Sequence, residues 1–321
     1  MVVSLLALLT LSCETTIDVD IPRDESRLVV NAVLEADSSI RMHLSGSRFS
    51  LDNDPVQPVQ SAEVILFEDG LQVAELEENN AGMNGEKGWY QSLYMPKAGH
   101  SYSIRAAKNG FQPVEAETFI GEPVSISDLD YSYLVLEQVV EIDGIPTTYR
   151  QKQLDDLSIL IDDPAGKENY YEIMIYQDAV RYLWDYSGPE PFPYDTIRRR
   201  YNTYLSSDDP VVAGGEFFDD DGTFYGSSLI FSDETFDGRS YRVRFSYEGS
   251  GGFSEDGSLK YLIFLKSLHR EQYLYIKSLQ LQRDTEGNPF AEPVPVYNNI
   301  VGGYGIFTGS SHDVEMIELE E

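Results

Sequence analysis

The chain has 321 residues, with 55 acidic against 23 basic side chains and a formal net charge of -32. That charge repels nucleic acid and bare anionic lipid, which excludes a nucleic-acid-binding protein; its plain reading is solubility. A single cysteine leaves no internal disulfide and no cysteine-built zinc site, and 22 tyrosines with 25 glycines favour strands joined by tight turns over helices.

Residues 2–11, VVSLLALLTL, form an apolar run too short to span a bilayer and suited to the core of a signal peptide. The run ends at Leu11-Ser12-Cys13, and small residues before a cysteine at that place resemble a bacterial lipobox. The resemblance implies removal of residues 1–12, a diacylglycerol thioether on Cys13 and attachment to a membrane through that lipid. Several acyl chains hold stably where one does not. Residues 13–24 follow as an acidic tether, with Glu14, Asp18, Asp20 and Asp24. It is similar to the segment behind the lipidated cysteine of surface-exported Bacteroidota lipoproteins, and it also reads as a plain solvated linker. No later run is long and apolar enough to cross a bilayer; the longest, Tyr261–Leu265, reads as a buried strand.

A first domain is expected over residues 25–122. Leu28–Val30, Ala32–Leu34 and Ile40–Leu44 carry strand patterns, and Asp69-Gly70 between two apolar runs predicts a type I′ hairpin. Gly88–Tyr94 and Tyr102–Ala106 follow, and Asn109-Gly110 marks a second hairpin into Val114–Phe119. Short strands at this spacing predict a β-sandwich. Ala62–Leu66, Gly88-Trp89-Tyr90, Gly99–Ile104 and Gly110-Phe111 resemble the carboxypeptidase-regulatory-like or transthyretin-like sandwich, which implies a non-catalytic module.

A second β domain is expected over residues 123–321. Leu129–Ile142 alternates, and residues 154–176 read as strand, Pro164-Ala165-Gly166 turn, strand. Residues 184–195 hold three prolines and read as a loop. Arg198-Arg199-Arg200 reads as a strand edge that neutralises nearby acids. Asp219, Asp220 and Asp221 before Gly222 resemble a fragment of a calcium loop, because hard cations take carboxylate oxygens. The alternate ligands and late acid of such a loop are missing, and Asp-Gly is also an ordinary hairpin turn, so calcium at this place and no cofactor at all both stand as readings. Residues 267–284 predict the one helix, capped by Ser267, with Leu268, Tyr275 and Leu279 on one face and a stop at Gly287-Asn288-Pro289. The fold class expected is therefore all-β: two β-sandwich-like domains, the second carrying one α-helix.

GNPFAEPVPVYNNIVGGYGIFTG, residues 287–309, is similar to the C-terminal signature of a Bacteroidota lipoprotein family known only as a numbered domain of unknown function, family 4249, and LIFSDETFDG at 229–238 fits the same family. That resemblance implies an outer-membrane lipoprotein encoded near TonB-dependent transporters, and it implies no reaction. Within GGYG, Gly302, Gly303 and Gly305 read as a bulge or a close backbone approach.

No catalytic constellation is legible. Ser311-His312-Asp313 are neighbours whose side chains alternate in direction, so they cannot form a triad; the stretch reads as a loop before a last strand, Val314–Leu319. No G-x-S-x-G elbow, H-E-x-x-H pair or P-loop occurs. The function expected is non-enzymatic: a lipid-anchored outer-membrane protein, facing the periplasm or the cell surface, that binds a ligand or partner beside a TonB-dependent transporter. The alternatives are an envelope scaffold or adhesin using divalent cations, and a carboxylate-based hydrolase.

Overall fold

The computed structural model describes residues 25–49, 52, 54–79, 86–142, 145–185, 187, 192–214, 217–218, 224–249, 257–285, 292 and 294–319. Cys13, the acidic tether and Asp219, Asp220 and Asp221 lie outside the described residues. Within them the chain runs β1 (Leu28–Glu35), β2 (Ile40–Gly46), β3 (Glu63–Glu68), β4 (Leu71–Glu75), β5 (Glu77–Glu78), β6 (Trp89–Ser92), β7 (Ser101–Ala107) and β8 (Val114–Phe119). There follow β9 (Ile126–Ile142), β10 (Ile145–Asp162), β11 (Tyr170–Asp185), β12 (Phe192–Asn202), β13 (Leu205–Ser207), β14 (Val212–Gly214), β15 (Phe217–Phe218) and β16 (Phe224–Gly226). The chain ends with β17 (Leu229–Ser232), β18 (Ser240–Tyr247), β19 (Gly257–Leu268), the helix α1 (Arg270–Thr285) and β20 (Tyr304–Glu318). The fold is all-β with one helix among the described residues.

The strands form three sheets. A ten-stranded sheet has the order β14-β17-β11-β19-β20-β1-β2-β6-β5, with β12 branching from β11. A four-stranded sheet, β4-β3-β7-β8, and a six-stranded sheet, β15-β16-β13-β18-β10-β9, complete the fold. The alternation in β1 puts Leu28, Val30, Ala32 and Leu34 inward, where they meet Val64, Leu66, Ile104 and Val114 of the four-stranded sheet. On the other half, Tyr171, Ile173 and Ile175 of β11 and Tyr261, Ile263 and Leu265 of β19 meet Ile159, Val243 and Phe245 of the six-stranded sheet. Phe307 belongs to the first core and Ile317 to the second, and both lie on the same face of β20. The two smaller sheets therefore sit side by side on one face of the large sheet. The helix covers the opposite face, where Tyr273 stacks on Tyr170 at 4.6 Å between ring centroids.

The continuity of the large sheet rests on β20 pairing with β1 in parallel, from Val29 opposite Tyr304 to Glu35 opposite Ser310. Gly305 makes this possible. Its φ is +108°, and a Cβ there would lie 2.0 Å from the Val30 carbonyl oxygen. Close backbone approach is thus the role of the GGYG stretch, as the sequence predicts, and the strand approached is β1.

Several sequence expectations change in detail. Asp69 and Gly70 both have positive φ, 48° and 80°, as a type I′ turn requires. The second hairpin differs: Phe111 N–H donates to Lys108 O and only Gly110 is positive, which makes a type II turn. The strands flanking Pro164-Ala165-Gly166 do not pair with each other; β10 belongs to the six-stranded sheet and β11 to the ten-stranded one. The expected loop at 184–195 is partly strand, since Trp184 lies opposite Pro193 and Asp185 opposite Phe192. Proline is tolerated because β12 pairs with β11 alone among the described residues. The helix starts at Arg270: Ser267 is still in β19 with its Oγ accepting from Val124 N–H at 3.0 Å, and His269 O accepts the first helical N–H groups. Ser311-His312-Asp313 lie inside β20, not in a loop.

Candidate functional site

The expected site residues come first. Cys13 and the three consecutive aspartates fall outside the described residues, so the candidate site is built from what the fold brings together. Ser311, His312 and Asp313 diverge: Ser311 is buried, His312 Nδ1 lies 3.0 Å from Glu35 Oε1, and Asp313 Oδ2 accepts Ile126 N–H at 2.8 Å. Arg198–Arg200 lie exposed on β12, where Arg200 binds the Asp178 carboxylate through Nε and Nη2 at 2.5 and 2.6 Å. That contact holds the Asp178 carboxyl below its ordinary range.

The outer part of β9 and β10 departs from an ordinary folded surface. From Tyr133 opposite Leu154 to Ile142 opposite Ile145, the two strands pair only with each other among the described residues, because β18 joins β10 no further out than Asp156. Ten pairs make a ribbon about 34 Å long. Tyr131, Tyr133, Leu134, Val135, Leu136 and Val139 on β9 are each between 37% and 65% exposed. Tyr133, Val135 and Val139 share one face of the strand, and Leu134 and Leu136 the other. Lys152 Nζ lies over the Tyr133 ring, 5.4 Å from its centroid.

At the ribbon's base the outward face of the six-stranded sheet forms an open trough of about 700 Å³. The register arranges its polar side chains in two rows. Ser158 lies opposite Asp130 on one side and Arg244 on the other; Ser246 lies opposite Asp156 on one side and Ser206 on the other. Ser246 Oγ donates to Asp156 Oδ1 at 2.7 Å, and Ser158 Oγ accepts from Arg242 Nη1 at 3.1 Å.

A second cluster joins two turns. Asp163, Asp233 and Asp237 bring one carboxylate oxygen each within 4.8 Å of one another. Three such oxygens could hold a hard cation. The protein's own donors already serve them: Tyr171 Oη–H and Asn169 Nδ2–H to Asp163 Oδ1 at 2.5 and 3.2 Å, Gly238 N–H to Asp163 Oδ2 at 2.8 Å, Asn169 N–H to Asp233 Oδ2 at 2.9 Å and Gly166 N–H to Asp237 Oδ1 at 2.9 Å. Burial pushes the Asp233 carboxyl up, against the bonds from Asn169, and the nearby Asp163 and Asp237 push the same way. Burial and the bond to Asp163 push the Tyr171 phenol up. The arrangement clamps the 163–169 turn to the 233–238 turn. Asp162-Asp163 gives no signal in the sequence, because a chain with 55 acidic residues holds several such pairs, Asp155-Asp156 among them; the Asp237-Gly238 step inside LIFSDETFDG is the available one.

Comparison with known proteins adds a family. The family model described as "Domain of unknown function (DUF4249)" matches residues 14–315. No curated protein matches the chain.

Proposed function

The chain belongs to the DUF4249 family, and we propose that it is a non-enzymatic, lipid-anchored outer-membrane protein that binds a TonB-dependent transporter through the β9–β10 ribbon. The observation that carries this reading is Tyr133-Leu134-Val135-Leu136, a continuous apolar run open to solvent on both faces. A run of that kind belongs in a strand covered from both sides. Contiguous exposed apolar surface of this kind marks an interaction site. The partner's class rests on the resemblance of residues 229–238 and 287–309 to envelope lipoproteins encoded beside such transporters.

The anchor is Cys13, at the end of the short apolar leader. Twelve tether residues from 13 to 24 reach at most about 40 Å when extended, enough to place the ribbon beside the loops of a membrane barrel. The non-enzymatic reading rests on the resemblance of residues 229–238 and 287–309, which implies no reaction.

The test is affinity purification of the tagged chain from native outer membranes, beside a Leu134→Lys, Val139→Lys variant. The reading expects a TonB-dependent transporter with the wild type and about tenfold or greater loss with the variant. Equal recovery from both, or no transporter with either, overturns it.

A further inference from the structure

We propose that the trough on the outward face of the six-stranded sheet binds a neutral carbohydrate chain. This goes beyond the ribbon reading and does not rest on it, since it uses a different surface and a different class of ligand.

The argument starts from register. Neighbouring strands stand about 4.8 Å apart and alternate residues about 6.8 Å apart along a strand. Asp130-Ser158-Arg244 and Asp156-Ser246-Ser206 therefore form a two-row grid of polar groups, with Asp156 and Ser158 on one face of β10. Polar groups set this far apart can each meet a different hydroxyl of one sugar ring or of its neighbour in a chain.

The hydroxyls that line the trough are held in place by hydrogen bonds with charged side chains or, for Ser132, with backbone, and each keeps a hydrogen-bonding capacity. Ser246 and Ser206 donate to Asp156 and Glu248, at 2.7 and 2.6 Å, which leaves their lone pairs as acceptors. Ser158 and Ser132 accept from Arg242 Nη1 and Asp156 N–H, at 3.1 and 3.2 Å, which leaves their O–H groups as donors. Arg244 is exposed and its guanidinium makes no ion pair among the described residues. A ligand that fills this space must donate and accept at closely set points.

Charge and shape narrow the class. Asp130, Asp156 and Asp208 against Arg244 disfavour an anionic ligand. An apolar ligand would cover the remaining hydroxyl donors and acceptors and the Arg244 guanidinium without offering them a partner. The volume of about 700 Å³ is that of a small-molecule site, and the trough is open to solvent, which leaves room for a chain to run past it.

The test is calorimetric titration of the full chain in detergent with maltohexaose, cellohexaose, xylohexaose and mannohexaose, each to about 10 mM. Polygalacturonate and an oligolysine peptide serve as the anionic and basic alternatives. We expect at least one neutral oligosaccharide to bind, with affinity reduced about tenfold or more by Arg244→Ala and separately by Asp130→Ala. Both side chains are exposed, so near-ultraviolet circular dichroism should be unchanged. The proposal is overturned if no neutral oligosaccharide binds, if binding survives both substitutions, or if only oligolysine or polygalacturonate binds at the trough. Failure here leaves the ribbon reading standing, because transporter recovery is measured with variants at Leu134 and Val139.

Discussion

Replacing Gly305 by alanine should remove much of the stability of the whole fold. Two costs add. A φ of +108° lies outside the conformations that L side chains adopt, which costs about 1–3 kcal/mol. The new Cβ would also stand 2.0 Å from Val30 O, 2.9 Å from Val30 C and 3.1 Å from Val30 N. All three are backbone atoms of a fully buried residue, so no side chain can swing aside. Relief requires β1 and β20 to separate locally, losing about two backbone hydrogen bonds at about 1 kcal/mol each. The sum is about 3–5 kcal/mol, against a total of about 5–15 kcal/mol for a typical domain. Gly70→Ala is the control: its φ is +80°, but nothing lies within 4 Å of the added Cβ, so only the conformational cost of about 1 kcal/mol applies. Urea unfolding followed by circular dichroism compares the two variants. A Gly305→Ala loss no larger than that of Gly70→Ala would refute the argument that backbone contact with β1, rather than φ alone, requires glycine here.

Two further outcomes concern the polar framework. Tyr171→Phe removes a buried 2.5 Å bond to Asp163 and should cost about 2 kcal/mol in urea unfolding, while Tyr170→Phe, at a partly exposed position, should cost less. Glu68 accepts from Tyr102 and Tyr94 hydroxyls at 2.5 and 2.7 Å, and these bonds hold its carboxyl below the ordinary glutamate range. A depressed carboxyl contributes stability that is present above the unfolded pKa and is lost as pH falls through the folded one. Glu68→Gln should therefore flatten the acid side of the stability–pH curve, with the difference from wild type shrinking as pH drops.

The all-β class and most strand positions were legible because alternation is a local property: Leu28–Leu34 and Val114–Phe119 show it plainly. Asp69-Gly70 was legible for a similar reason, since positive φ at two adjacent positions is a demand on those residues alone. Strand β20 was less clear. Its residues from Ile306 to Ser311 are all buried, with the helix on one face and β8 on the other, so they show no alternation, and the polar Ser311-His312-Asp313 read as a loop. Pairing beyond the two hairpins, β3 with β4 and β7 with β8, was not legible. Nothing local says that the chain changes sheets at Pro164-Ala165-Gly166, or that the strand Gly305 approaches is β1 at the far end of the chain. The sites share that difficulty. The Asp163 cluster comes from two distant turns, and the rows of the trough exist only once β9, β10, β18 and β13 are in register. The ribbon was half visible: Leu129–Ile142 read as an alternating strand, but the exposure of its apolar residues depends on β18 stopping short.

The most direct measurement on the central claim is amide hydrogen exchange of the ribbon, read in the purified free chain and in the transporter complex extracted from native outer membranes. The account expects fast exchange in the outer strands of the free chain and added protection in the complex, concentrated at residues 131–142 and 145–154. Protection elsewhere with none in the ribbon, or identical exchange in both preparations, would contradict it.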